Sequence, residues 1–169
     1  MLPGDDIVSA TGMPYDTLQD IIGWGVGDAP VGSLREMGVS FHSVALRDGK
    51  IDLDAVENAI TPKTKLVIAQ RSRGYDWRPS LMPEEFAPLA KMLHEKHPGV
   101  RLMVDNCYGE FVCEKEPSHY GADVCVGSLI KNPGGGLAPT GGYIVGYIPM
   151  VALAGFLMSK SDKWWLHLL

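Results

Sequence analysis

The stretch Arg101-Leu102-Met103-Val104-Asp105-Asn106-Cys107-Tyr108-Gly109-Glu110 decides how this chain folds. A short apolar run stops at a carboxylate and gives way to small and polar residues around a glycine, which is how a buried strand ends. The same pattern appears twice more. Residues 65–69 lead into Gln70-Arg71-Ser72-Arg73-Gly74-Tyr75, and residues 123–126 lead into Gly127-Ser128-Leu129-Ile130-Lys131-Asn132-Pro133 and three glycines. Ligands of open α/β sheets lie outside the carboxyl ends of the strands. Three chemically loaded loops in equivalent positions should therefore converge on one edge of a sheet, with Asp105 beside the segment from Ser128 to Lys131.

Further strands are expected at 6–10, 40–45 and 142–145, and helices between them. Residues 15–22 carry Leu18, Ile21 and Ile22 at helical spacing. Residues 52–60 open on an aspartate cap and put Leu53, Val56 and Ile60 on one face. Residues 83–97 start with Pro83, bury Phe86, Leu89, Ala90 and Leu93, and stop before Pro98-Gly99. Strands alternating with helices give a three-layer α/β/α architecture with a mainly parallel sheet of at least five strands.

With 169 residues, 46% of them apolar and 21% charged, the chain is globular and of ordinary domain length. A net charge of −5 argues against a non-specific nucleic-acid or anionic-membrane binder, but not against a small anionic cofactor in a local pocket. Cys107, Cys113 and Cys125 have no paired or metal-binding spacing. Reduced thiols, no metal site and a cytoplasmic location are expected. The amino terminus has no basic stretch followed by an apolar run. The uncharged residues 143–158 are short for a membrane span and are interrupted by Pro149, so they read as a buried strand and the start of a core helix.

Lys131 admits three readings: a solvated loop lysine, a nucleotide phosphate loop, or a Schiff-base lysine. The second fails on order, because such a loop needs its glycines before the lysine and a Ser or Thr after it. In the third, glycines let a bulky planar cofactor approach the backbone. Asp105 reads either as a turn or helix cap or as the partner of a pyridinium nitrogen, and Tyr108 follows within reach of the same ligand. On these residues alone the alternatives stand.

The run Val104-Asp105-Asn106-Cys107-Tyr108-Gly109-Glu110-Phe111, together with Gly127-Ser128-Leu129-Ile130-Lys131-Asn132-Pro133-Gly134-Gly135-Gly136-Leu137-Ala138-Pro139-Thr140-Gly141-Gly142-Tyr143, resembles the cystathionine β-lyase-like, aluminium-resistance-associated family. Gln70 to Tyr75 is similar to it as well. These are pyridoxal-phosphate (PLP) enzymes of the aspartate-aminotransferase fold, in the neighbourhood of methionine γ-lyase. The resemblance implies that Lys131 forms the internal aldimine and moves the proton at the substrate Cα. It implies that Asp105 pairs with the ring nitrogen, Tyr108 with the phenolic oxygen and Ser128 with the phosphate. Arg71 and Arg73 would meet an anionic substrate or the phosphate, or form surface salt bridges. The implied reaction is β- or γ-elimination from a sulfur-containing amino acid in a homodimer or larger homo-oligomer.

Family members extend beyond both ends of the resemblance. Residues 1–146 are therefore expected to be the central part of the PLP-binding large domain, lacking a phosphate cradle and the ring-stacking aromatic. Residues 147–169 form an atypical tail. A truncated, non-catalytic fragment or a PLP aminotransferase is the alternative function. Truncation should leave an apolar face exposed on the first strand or on the tail.

Overall fold

The structure, a computed structural model, describes residues 1–146 apart from Val26 and Ala29. The expectations for residues 147–169 lie outside the described residues. Six strands follow in chain order: β1 (Asp6–Ser9), β2 (Ser40–Ser43), β3 (Thr64–Gln70), β4 (Arg101–Asp105), β5 (Val124–Ser128) and β6 (Gly142–Gly146). They form one sheet in the order β2-β1-β3-β4-β5-β6. The first five are parallel to their neighbours, and β6 runs antiparallel to β5. The expected mainly parallel sheet is present.

The three layers follow from the twofold period of the strands. Val8, Val67, Ala69, Leu102 and Val104 point to one face, where they join Phe86, Leu89 and Leu93 in the larger core. Ile7, Leu66, Ile68 and Met103 point to the other, beside Leu18, Ile22 and Phe41. Helices α2 (Leu53–Ala59) and α3 (Ala87–Lys96) cover the first face, and α1 (Asp16–Ile22) covers the second. Full burial of side chains such as Phe86, Leu89 and Leu93 contributes about 1.5–3 kcal/mol each. Asp52 caps α2 by accepting the Ala55 N–H at 3.1 Å. The predicted helix 83–97 divides into a 3-10 turn, Pro83–Phe86, and α3.

The tail, one of the two places where an exposed apolar face is expected, lies outside the described residues, and the other, β1, has none. All four of its residues are buried, because β2 and β3 flank it and both faces are covered. The exposed apolar residues of the sheet are on the edge strand β6, at Ile144 and Val145. After β1 the chain adds β2 on one side and then β3 on the other. The carboxyl ends of β1 and β3 are thus a topological switch point, where the following loops diverge and leave a crevice.

Candidate active site

The crevice holds a cleft of about 240 Å³ that brings together Lys131, Asp105, Tyr108, Cys107, Gln70 and Tyr15. Asp105 is the last residue of β4, and its Oδ1 accepts the Cys107 N–H at 3.0 Å. Lys131 lies three residues past the end of β5. Its Nζ is 4.5 Å from the centre of the Tyr108 ring and 5.6 Å from that of Tyr15, within cation–π range of both. Tyr75 continues the aromatic wall, 6.0 Å from Tyr15 between ring centres.

Tyr108 is held in an uncommon backbone state. Its φ is +67° and that of Phe111 is +63°, a left-handed conformation that costs a non-glycine residue on the order of 1–2 kcal/mol. The compensation comes from Arg71. This side chain is buried rather than on the surface or in the cleft, and its guanidinium is committed to the loop after β4. Nη1 donates to Asn106 Oδ1 at 2.8 Å, to the Gly109 carbonyl at 2.7 Å and to Glu116 Oε2 at 3.2 Å. Nε donates to the Leu81 carbonyl at 3.3 Å. Glu116 closes the knot by accepting from Asn106 Nδ2 at 2.8 Å and from the Phe111 N–H at 3.0 Å. Gly109 is required here, since a Cβ would collide with the Arg71 guanidinium.

Arg73, two residues along, is exposed and lies over the Trp77 ring at 5.5 Å. Ser128 is the final residue of β5 and does not line the cleft. Its hydroxyl donates to the Gly141 carbonyl and accepts the Ile130 N–H, both at 3.4 Å. Nor do the glycines after Lys131 line it. Gly134 closes the turn with its N–H on the Lys131 carbonyl at 3.1 Å, and a Cβ there would run into the Leu129 carbonyl. Gly134 shapes the lysine's turn, while Gly135 and Gly136 face open space.

Sequence reasoning missed Tyr15 and Gln70. Gln70 joins the loops: its Oε1 accepts the Tyr15 N–H at 3.1 Å, Nε2 donates to the Ser72 carbonyl at 3.1 Å, and its own N–H reaches Thr11 Oγ1 at 2.9 Å. Tyr15 was hidden in the predicted helix 15–22. It stays extended just ahead of α1, so an aromatic wall is present within the chain. The signal available was another strand-then-loop pattern, β1 running on to Pro14-Tyr15.

The electrostatics are those of an ammonium among acidic neighbours. Burial lowers the Lys131 pKa, but Cys107, Tyr108 and Asp105 outweigh it and the net direction is upward. Lys131 is thus protonated at neutral pH in this cleft. Burial, with the Asp105 carboxylate adding to it, pushes the Cys107 thiol up to about 11. Among the described residues no group of three His, Cys, Asp or Glu side chains is placed to hold a metal ion. No described helix is long and apolar enough to cross a membrane.

A mainly parallel sheet with a lysine, a carboxylate and tyrosines at its switch point defines the class: an α/β protein with a ligand cleft at the carboxyl edge of its strands. The chain belongs to the methionine gamma-lyase family, whose profile matches residues 1–161. It is 49% identical over 159 residues to the uncharacterized protein YnbB of Bacillus subtilis, covering 94% of this chain and 38% of that one. A provisionally assigned cystathionine β-lyase involved in aluminium resistance, from Listeria monocytogenes, superposes with a TM-score of 0.85 at 43% identity, over 96% of this chain and 40% of that one. A carbon–sulfur lyase involved in aluminium resistance, from Clostridium novyi, does so with a TM-score of 0.79 at 41% identity, over 86% and 35%. The chain therefore spans about two fifths of the length of these relatives.

Proposed function

We propose that this chain carries the catalytic centre of a PLP-dependent carbon–sulfur lyase that eliminates a thiol from a sulfur-containing amino acid. The observation behind this reading is that Lys131 and Asp105, on loops of different strands, face one aromatic-walled cleft. The donor set fits the cofactor. A primary amine suits its aldehyde, a carboxylate at a strand end suits its ring nitrogen, a phenol suits its ring hydroxyl, and the Tyr15 face suits a planar ring. Ser128 would reach the phosphate by giving up its two long hydrogen bonds of 3.4 Å, which are weak at that length.

When bound, PLP supplies an aldehyde that condenses with amines and a protonated ring that withdraws electrons from the bonds at the substrate Cα. The chain's own residues do the rest. Asp105 would hold the ring nitrogen and keep its proton on it, as an anionic hydrogen-bond partner does. Lys131 would hold the cofactor through its amine, once Nζ has lost its proton. Its unprotonated Nζ would take the proton from the substrate Cα and return one to the departing sulfur. Tyr108 would donate to the ring oxygen from the turn that the Arg71 knot holds.

The activity proposed is that of a whole enzyme of the relatives' length, and a homodimer is its proposed form. The three cysteines are free, which supports work in the reducing cytoplasm. The test is to add PLP and follow near-visible absorbance, then to supply L-cystathionine or L-methionine and assay free thiol and keto acid. A band with thiol release is expected. A band with amino-group transfer and no thiol would replace the lyase by an aminotransferase.

A further inference from the structure

The cleft beside Lys131 opens into a second hollow of about 360 Å³, sharing Tyr15, Gln70, Gly74 and Tyr75 with it. This hollow is lined by charges of both signs, Asp16, Asp76, Arg73 and Arg78. They differ in what they are free to do. Arg78 is spent on the fold: its guanidinium donates to the carbonyls of Gln70, Ser72 and Pro79 at 3.1, 2.5 and 3.1 Å. Gln19 is likewise engaged, with Nε2 on the Pro14 carbonyl at 2.6 Å. The Arg73 side chain has no hydrogen-bonding or ionic partner among the described residues and only stacks over Trp77. Asp16 and Asp76 each use Oδ1 on the next residue's N–H, at 2.9 and 2.8 Å, which leaves Oδ2 available.

We propose that this hollow binds the far end of the substrate's thioether side chain, and that Arg73, with Asp16 and Asp76, selects an end bearing both a carboxylate and an ammonium. The inference rests on the lyase reading for its substrate but concerns charged residues that line the second hollow and not the cleft of Lys131. The two hollows meet at the Tyr15–Tyr75 wall, which offers the side chain of an amino acid held at Lys131 a path from one to the other. The sulfur would pass those rings, a favourable contact for a thioether. Beyond them an apolar S-methyl or S-ethyl group would meet four charged side chains and gain nothing. A zwitterionic end meets a guanidinium able to hold a carboxylate in a forked hydrogen bond, and two carboxylates able to take an ammonium. A lone carboxylate fits less well, since Asp16 and Asp76 would repel it.

The experiment is equilibrium dialysis of the cofactor-free full chain with two cysteine thioethers: L-lanthionine, with a second amino-acid end, and S-ethyl-L-cysteine, with an apolar one. We expect the chain to prefer lanthionine by about fivefold, the size of a favourable exposed ion pair. Arg73→Gln should erase the preference and leave PLP affinity, read from the near-visible band, unchanged. Equal retention of the two ligands by the unaltered chain, including retention of neither, would overturn the proposal. So would an Arg73→Gln variant that keeps the preference but loses PLP affinity, because Arg73 would then serve the cofactor's phosphate. A preference without any PLP band would leave the subsite standing and sink the lyase reading.

Discussion

Replacing Arg71 by methionine should destabilise the chain by about 3 kcal/mol. The substitution keeps most of the apolar stem and removes the guanidinium. Glu116, the Gly109 carbonyl and Asn106 Oδ1 then lose a donor inside a loop that has two left-handed non-glycine residues. Breaking a buried ion pair costs about 3–5 kcal/mol. The Arg71 side chain is 4% exposed but that of Glu116 is 27% exposed, so water can reach the acid and the lower end of that range applies. For a domain stable by about 5–15 kcal/mol this is a large fraction, and Tm should fall by about 6–12 °C. Urea unfolding followed by circular dichroism measures it. Arg73→Met, two residues away and exposed, is the control and should stay within about 0.5 kcal/mol. A loss below about 1 kcal/mol for Arg71→Met, or equal losses for both arginines, would refute the assignment of Arg71 as the clamp of the Tyr108 turn.

Asp105→Asn should leave PLP capture nearly intact and lower turnover about 10- to 100-fold, since a hydrogen bond to a charged group is worth about 1.5–3 kcal/mol; kcat compared with PLP affinity checks this. Cys107 and Cys125, both pushed up to about 11 by burial, should resist iodoacetamide at pH 8, and their labelling should rise about tenfold per pH unit towards pH 10. The half-buried Cys113 should be labelled first, as peptide mass spectrometry would show. Gly134→Ala drives a Cβ into the Leu129 carbonyl and should cost about 1–3 kcal/mol by denaturant titration while disturbing the Lys131 turn.

The strands were legible because each is a short apolar run that stops at polar residues, and the three loops after β3, β4 and β5 led directly to Asp105 and Lys131. What the residues could not disclose was direction. Arg71 and Arg73 are the same residue type two positions apart, yet one turns inward to the loop after β4 and the other stays in solvent. Their difference lies in Glu116 and Asn106, which are close only after folding. Tyr15 was concealed by the helical spacing that follows it, and its place in the cleft depends on β1 and β3 diverging at the switch point. Ser128 reads as a loop residue because glycine precedes it, but pairing with β6 extends β5 through it. The glycines after Lys131 suggested access for a ligand. Gly134 is instead fixed by contact with Leu129, a neighbour five residues earlier that only the turn brings near.

Lys131 is proposed as the residue that takes the cofactor. Its most direct test is to incubate the chain with PLP, reduce with borohydride, digest with a protease and locate the pyridoxyl group by mass spectrometry. One modified peptide is expected, carrying the group on Lys131, with loss of the near-visible band in Lys131→Ala. Because the Lys131 pKa is raised, the rate of capture should climb with pH as the amine loses its proton, and the slope should persist beyond neutrality. A pyridoxyl group on another lysine, or a band that survives in Lys131→Ala, would contradict the account.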